Sequence, residues 1–224
     1  MRYCFVPVAE AELLDTWQVR GMRGTGTHHF AVNDVFVPAE RTVLSATAPL
    51  LETGPLYHIP RTLAFASGDA AVALGTARAL PRPRSSSWPA PRRRAPCQAL
   101  LRDQPMVQVD VGRAEAALRS ARAFLTEAVR RDLERRRGRP RSRSSSAPIL
   151  RLATTHGIRA GGAGRRHRLQ RGGRHGRLRV ATSIQRHFQD MHVISQHMQA
   201  PHLRTTSTVG QYRLGLAIER EFQL

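Results

Sequence analysis

Lysine is absent from this 224-residue chain, so all 36 of its basic residues are arginine. Acids are few, with 16 Asp and Glu together, and the formal net charge is +20. Cys4 and Cys97 are too few for a disulfide framework, so we expect a reducing cytoplasm. The sequence has no apolar run of about 18 residues and no charged-then-apolar leader, so neither a membrane span nor secretion is expected.

The positive charge is unevenly distributed. Half of the arginines fall in three windows without any acid: residues 80–98 hold five, residues 135–148 hold six and residues 160–179 hold seven. Basic patches of this size can bind nucleic acid or an anionic surface. However, the windows contain one aromatic residue for base stacking, Trp88, and match no zinc-finger or RNA-binding signature. A basic nucleic-acid-binding protein is therefore the disfavoured alternative.

The N-terminal part predicts a small antiparallel structure. In residues 29–38 (HFAVNDVFVP), Phe30, Val32 and Phe36 alternate with other side chains, which predicts a strand that Pro38 ends. Three glycines in residues 21–27 (GMRGTGT) predict a turn just before it. The strand therefore belongs to a hairpin or a small sheet.

The rest of the chain predicts an antiparallel four-helix bundle. Apolar residues recur at helical spacing in residues 63–80 and 107–131, a third helix begins near Ile149, and a fourth covers residues 184–198. Ion pairs Glu115–Arg119 and Glu127–Arg131 are expected at i,i+4 spacing. The predicted core positions are Leu63, Ser67, Ala70, Leu74, Ala77, Val107, Val111, Ala114, Leu118, Ala121, Leu125, Ala128, Ile184, Phe188, Met191, Ser195 and Met198.

The fourth helix carries the candidate site. Arg186, Asp190 and His197 share one face at i,i+4 and i,i+7 spacing, and Arg186 can pair with Asp190. The alternative is a solvated helix face with an ordinary ion pair. His28 and His29 are adjacent rather than i,i+4 spaced, and there is no paired zinc motif, so no metal site is expected. A phosphate-binding glycine loop and a nucleophile elbow are also lacking.

Four segments resemble acyl-CoA dehydrogenase-like flavoenzymes in the correct order. Residues 17–43 (WQVRGMRGTGTHHFAVNDVFVPAERTV) resemble the last strands of their middle β-domain. Residues 63–80 (LAFASGDAAVALGTARAL), 100–125 (LLRDQPMVQVDVGRAEAALRSARAFL) and 183–199 (SIQRHFQDMHVISQHMQ) resemble the first, second and late helices of their C-terminal bundle. The resemblance implies a β-domain fragment at residues 1–45 and a helical bundle at residues 46–224. It also implies that an N-terminal helical domain and the first half of the β-domain are not represented.

Two chemistries are known in this family. Acyl-CoA dehydrogenases use a late glutamate as base, but residues 183–203 contain no glutamate, and Asp190 is their one acid. The branch similar to two-component aromatic hydroxylases has histidine there and traps O₂ as a flavin C4a-hydroperoxide. The resemblance thus implies a flavin-dependent monooxygenase acting on an aromatic or related small molecule, with an acyl-CoA dehydrogenase as the alternative. It gives His197 the acid–base role, with Asp190 as its catalytic partner.

The resemblance also implies cofactor and partners. FAD or FMN is the expected cofactor, supplied in reduced form by a separate flavin reductase. Arg102 and Gln108 match positions where the second helix meets flavin, usually across a subunit boundary, and Arg186 is a third candidate flavin contact. A homotetramer is expected, and the truncated chain by itself is expected to be inactive. Ile184 stands where the family commonly has proline.

The three basic windows interrupt the resemblance. A chain rich in Arg, Ala and Gly without lysine is typical of a G+C-rich gene. Residues 161–179 (GGAGRRHRLQRGGRHGRLR) can be reverse-translated so that a neighbouring frame reads AARVVDIAYNAAGGTAVYA, an amphipathic helix and a glycine turn. The hypothesis is that the segments at about 80–98, 135–148 and 160–179 are compensated frameshifts; the alternative is real basic insertions. Because like charges repel and buried unpaired arginine is costly, we expect these windows to be exposed and irregular.

Overall fold

The computed structural model describes residues 1–44, 48–49, 51–79, 103–137, 147–171, 183–200 and 202–216. Within these ranges the protein is mainly helical, with short antiparallel strands at the N-terminal end, as the sequence predicts. No helix in these ranges is long and apolar enough to cross a membrane. The five described helices are α1 (Arg61–Arg78), α2 (Pro105–Arg136), α3 (Ala147–Arg171), α4 (Ser183–Ile194) and α5 (His202–Arg213).

Four three-residue strands form two antiparallel pairs. β1 (Arg2–Cys4) pairs with β4 (Thr42–Leu44), and β2 (Glu12–Leu14) pairs with β3 (His29–Ala31), with Leu13 opposite Phe30. The predicted small antiparallel structure is confirmed, but the strand expected over residues 29–38 ends at Ala31. Asp34 has a φ of 50°, in the left-handed region, which breaks the alternation that a longer strand requires.

The central helix is α3, which packs extensively against both α1 and α2 and also contacts α4 and α5. The predicted apolar seams of α1 and α2 are confirmed, although Ser67 and Val111 are only half-buried. The buried apolar residues of these two helices are Leu63, Ala66, Ala70, Ala73, Leu74 and Ala77 on α1 and Val107, Ala114, Leu118, Ala121, Leu125 and Ala128 on α2.

Small residues bring the backbones of α1 and α3 close together. A Cβ added at Gly157 would lie 3.2 Å from Ala70 Cβ. At Gly161 it would lie 2.8 Å from Ala73 O and 3.1 Å from Met191 Cε, so the helix backbone itself fills the space. Glycine is therefore required at Gly161 for steric reasons, because any side chain would push α3 away from α1 and α4.

A buried ion pair lies near the end of α2. Arg136 Nε donates to Asp132 Oδ2 over 2.6 Å, and Arg136 Nη1 donates to His58 O over 2.7 Å, with both charged side chains withdrawn from solvent. The predicted pairs Glu115–Arg119 and Glu127–Arg131 also form, but they are exposed. Arg136 thus ties the segment before α1 to the end of α2.

Two of the basic windows differ from the expectation of exposed, irregular chain. Arg135 and Arg136 continue α2, and Arg136 is buried because Asp132 one turn earlier compensates its charge. The window at residues 160–179 is helical as far as Arg171, with Ala160 and Gly161 buried. Arginine has a high helix propensity, so the charge does not end either helix. Residues 80–98 lie outside the described residues.

The fourth predicted helix is shorter than expected. α4 ends at Ile194, and residues 195–200 form tight turns in which Gln196 N bonds to Val193 O and His197 N bonds to Ile194 O. Met191 is buried as predicted, but Phe188 and Met198, both assigned to the core, are exposed. Ser195 is half-buried, while the burial of Ile184 is outside the described residues. The fifth helix, α5, was not predicted.

Replacing Gly161 by Ala is expected to destabilise the fold by about 1–3 kcal/mol, because the methyl group overlaps Ala73 O. Gly162→Ala is the matched control, since a Cβ there meets nothing within 4 Å. The control should stabilise the helix by about 0.5–1 kcal/mol. Urea denaturation of both variants measures the difference, and equal effects would contradict the close approach of α1 and α3.

Removing the buried carboxylate by Asp132→Ala should cost about 3–5 kcal/mol, because Arg136 then keeps a buried and uncompensated charge. Glu115→Ala removes the partner of an exposed pair on the same helix and should cost about 0.3–0.5 kcal/mol. Thermal unfolding of the two variants separates these outcomes. A small loss with Asp132→Ala would show that the pair contributes little to the fold.

Candidate active site

Asp190, in the last turns of α4, contacts the turn at residues 21–27 and so connects the N-terminal part of the chain to the helical bundle. Its Oδ1 accepts a hydrogen bond from Met22 N at 2.7 Å. Gly21 packs directly on the α4 backbone, where an added Cβ would lie 2.2 Å from Gln189 O. Met22 has a φ of 53°, a strained conformation for a side-chain-bearing residue. The loop is thus held against α4 by one carboxylate and one steric fit.

The expected cluster of Arg186, Asp190 and His197 on one helix face does not form. Arg186 is exposed on α4 and makes no ion pair with Asp190 in the structure described here. His197 lies three residues beyond the end of α4, since the last turn tightens before it. The spacing argument was wrong for His197 because it assumed a helix that continues to Met198.

His197 lies instead beside a carboxylate from another helix. Its Nδ1 is 3.0 Å from Asp69 Oδ2, and the imidazole is half exposed. The same nitrogen is 3.3 Å from Gln199 N. Asp69 belongs to α1, so the tertiary packing of α1 and α3 with α4 brings these two side chains together. A half-exposed imidazole with a carboxylate neighbour can exchange protons with a bound molecule.

Buried polar groups lie behind this pair. Arg151 of α3 donates through Nη1 to Gln199 Oε1, and both side chains are almost fully buried. Burial lowers the pKa of the Arg151 guanidinium, while the negative charge of Asp69 acts in the opposite direction. The carbonyl of Arg151 accepts hydrogen bonds from the hydroxyls of Thr154 and Thr155. Sequence reasoning missed Asp69, Arg151 and Gln199; the available signal was a lone acid in an alanine-rich helix.

The predicted flavin contacts are spread over different helices. Gln108 is exposed in the first turns of α2, whereas Arg186 is on α4, and α2 and α4 share no extensive packing surface in the part of the chain that is described. Arg102 lies outside the described residues. Within the described residues, Gln108 and Arg186 therefore do not lie at a single place.

Comparison with known proteins identifies the family. The family model described as acyl-CoA dehydrogenase, C-terminal domain, matches residues 67–201, more than half of the chain. The chain belongs to the acyl-CoA dehydrogenase C-terminal domain family. The match covers α1 from residue 67 onward and all of α2, α3 and α4, and it ends just after His197 and Gln199.

Relatives and solved structures extend the comparison beyond that domain. Indole-3-acetate monooxygenase from Pseudomonas putida is 33% identical over 197 residues, 88% of this chain and 50% of the relative. XiaF from Streptomyces sp., solved with FADH2 and glycerol, has a TM-score of 0.83 and 21% identity over 97% of this chain and 56% of its own. The HsaA monooxygenase from M. tuberculosis has a TM-score of 0.75 and 21% identity over 96% of this chain and 57% of its own. The structures show the shared fold, and the chain spans about half the length of the relatives it matches.

Gly21→Ala should detach the N-terminal turn from α4, because the new methyl group would overlap the backbone at Gln189. Gly24→Ala is the control in the same turn, where a Cβ meets nothing within 4 Å. Hydrogen exchange at the Met22 amide reports the bond to Asp190. Exchange should become faster in Gly21→Ala alone; equal protection in both variants would argue against the docking.

Proposed function

We propose that this chain is the C-terminal part of a flavin-dependent monooxygenase that acts on an aromatic or related small molecule. The observation that carries the proposal is the half-exposed His197 held beside Asp69 at the end of α4. An imidazole both accepts and donates protons, so it can move a proton between a bound substrate, flavin and solvent. The names of the relatives, an indole-3-acetate monooxygenase and a pigment production hydroxylase, support the same chemistry.

The alternative within the family is an acyl-CoA dehydrogenase, which needs a carboxylate base. Residues 183–203 contain no glutamate, and their one acid, Asp190, is bonded to the Met22 amide. That bond favours a structural role for Asp190. A contribution of Asp190 to catalysis, which the family resemblance implies, would therefore act through the position of the turn that it holds.

The cofactor of the proposed enzyme is FAD or FMN. The candidate contacts, the Gln108 amide and the guanidinium groups of Arg186 and Arg102, donate hydrogen bonds of the kind that flavin carbonyls and phosphates accept. Reduced flavin, when bound, supplies the electrons that activate O₂. XiaF was solved with FADH2 and the related KijD3 with FMN, which supports the class of cofactor and leaves both forms open.

The proposed partners are a separate flavin reductase and further copies of the chain. Relatives named as oxygenase subunits of flavin-dependent monooxygenases support a reductase partner. Exposed apolar side chains on α1 and α2 support a homotetramer, since surfaces of this kind usually meet another chain. These side chains are Phe65, Val72, Met106 and Val109. We place the enzyme in the cytoplasm on its low cysteine content.

We also retain the domain division and the frameshift hypothesis as proposals. Residues 1–45 would be the end of a β-domain and residues 46–224 a bundle with three aberrant basic segments. Resequencing the locus tests the frameshifts, and an unbroken frame that encodes the same arginines would remove them. The non-enzymatic alternative, a nucleic-acid-binding protein, would use the arginines of the three windows, whereas Arg136, within the second window, is buried and paired with Asp132.

His197→Ala should slow substrate oxidation by about 10²–10⁴-fold, the usual contribution of acid–base catalysis, and leave flavin binding intact. The assay uses a complete enzyme in which this chain, with its reading frame repaired, follows the N-terminal half of a relative. His192→Ala is the control, because His192 is exposed on α4 and packs edge-on against Phe188.

The measurement is oxygen consumption with reduced flavin and a phenolic or thioether substrate, set beside acyl-CoA oxidation with an artificial electron acceptor. Acyl-CoA turnover that is unaffected by His197→Ala would overturn both the monooxygenase assignment and the role of His197. Salt-dependent retention on DNA without flavin uptake would favour the nucleic-acid-binding alternative.

A further inference from the structure

Asp69 is a charged residue on a helix whose buried face is built from alanine and leucine. Its neighbours in the sequence are Gly68 and Ala70, and Ala70 is fully buried against Gly157 of α3. The Oδ2 atom of Asp69 is shielded from solvent and has no well-aligned hydrogen bond. The nearby His197 Nδ1 lies 3.0 Å from this oxygen.

Two hydrogen bonds compete for His197 Nδ1. The Gln199 amide lies 3.3 Å away and can donate only to an unprotonated Nδ1, whereas Asp69 can accept only from a protonated one. The Asp69 contact is shorter, and its acceptor carries a charge, which makes such bonds roughly twice as strong as neutral ones. A shielded carboxylate oxygen without a donor is also costly, while the Gln199 amide is a weaker competitor at its longer distance.

Arg151 supplies a positive charge that interacts with the Asp69 carboxylate. The guanidinium is almost fully buried on α3, is held by Gln199 Oε1, and interacts electrostatically with Asp69. Gln199 follows His197 by two residues, so one short segment supplies both the imidazole and the amide oxygen that accepts a hydrogen bond from Arg151. Arg151 therefore interacts with the Asp69 carboxylate, which in turn lies beside the His197 imidazole.

We propose that Asp69 is the positioning residue for His197: it accepts the Nδ1 proton and leaves Nε2 as the nitrogen that exchanges protons with a bound molecule. This assignment rests on the proposed function for its catalytic meaning, because only an enzyme that uses His197 needs a fixed tautomer. Asp69 takes the role that the family resemblance implied for Asp190, because the Asp190 carboxylate is bonded to the Met22 amide instead. The two carboxylates thus have separate tasks.

The test is the tautomer of His197 in the chain as it exists. Long-range proton–nitrogen spectra of the ¹⁵N-histidine-labelled protein, recorded at a pH where the imidazole is neutral, distinguish Nδ1–H from Nε2–H. The His197→Gln variant identifies the resonances by their loss. We expect the Nδ1–H tautomer in the wild type and reversion to Nε2–H, the form that free histidine favours, in Asp69→Asn.

Asp190→Asn is the matched control, because it makes the same chemical change in the other carboxylate and should leave the His197 tautomer as in the wild type. Asp69→Glu should retain Nδ1–H, since the longer carboxylate can still accept the proton. An Nε2–H signal in the wild type, or an Nδ1–H signal that survives Asp69→Asn, would overturn the assignment. Circular dichroism checks that the variants keep their helices, and the wild-type spectrum alone decides if Asp69→Asn does not fold.

The readout needs neither flavin nor substrate, so it is independent of the proposed activity. A fixed Nδ1–H tautomer supports the positioning role of Asp69 even where the oxygen-consumption assay fails, and that failure would count against the proposed function alone. Loss of the tautomer in Asp190→Asn but not in Asp69→Asn would overturn the division of tasks between the two carboxylates.

Discussion

The close contact between α1 and α3 is the constraint on which the other contacts of the bundle depend. Alanines at i, i+4 and i+7 on α1 (Ala66, Ala70, Ala73) leave room for the backbone of α3 at Gly157 and Gly161. Met191 of α4 packs against the same place. The contact thus sets the position of α4, and with it the segment that follows α4 and carries His197. The short distance between the Asp69 and His197 side chains is therefore a consequence of backbone packing rather than of local sequence.

The sequence predicts the parts of this fold that have a strong period. The seams of α1 and α2 are buried nearly residue by residue, because a 3.6-residue repeat of apolar side chains has few other stable arrangements. The end of α4 was not predictable in the same way. The periodicity of HVISQHM continues past Ile194, but the backbone tightens to i→i−3 bonds at Gln196 and His197, and Pro201 follows in the sequence. Since a helix end is decided by a few local bonds, periodicity alone overestimates its length.

The candidate site could be predicted only in part. His197 was chosen as a candidate because of its residue type, a histidine in a stretch that contains no glutamate. Its neighbour was missed because Asp69 is 128 positions earlier in the chain and approaches only through the packing of three helices. Spacing rules apply within one helix, so they favoured Asp190, which is close in sequence but bonded elsewhere. Contacts between helices of this kind require the folded backbone.

The buried arginines of the bundle each have a compensating partner. Clustered arginine was expected to keep residues 135–148 out of the core, yet Arg136 is almost fully buried beside Asp132. The window was defined by the absence of acids within it, and the compensating acid lies just outside its boundary, one helical turn away. Arg151 follows the same rule across a greater distance in sequence, with Asp69 of α1 as its counter-charge and Gln199 as its hydrogen-bond partner. Burial of a cation in this bundle thus depends on partners from the preceding turn or the neighbouring helix. The buried charge of Arg151 is compensated by Asp69 and Gln199, and these two groups lie beneath His197. Charge compensation in the core therefore also positions polar groups of the candidate active site.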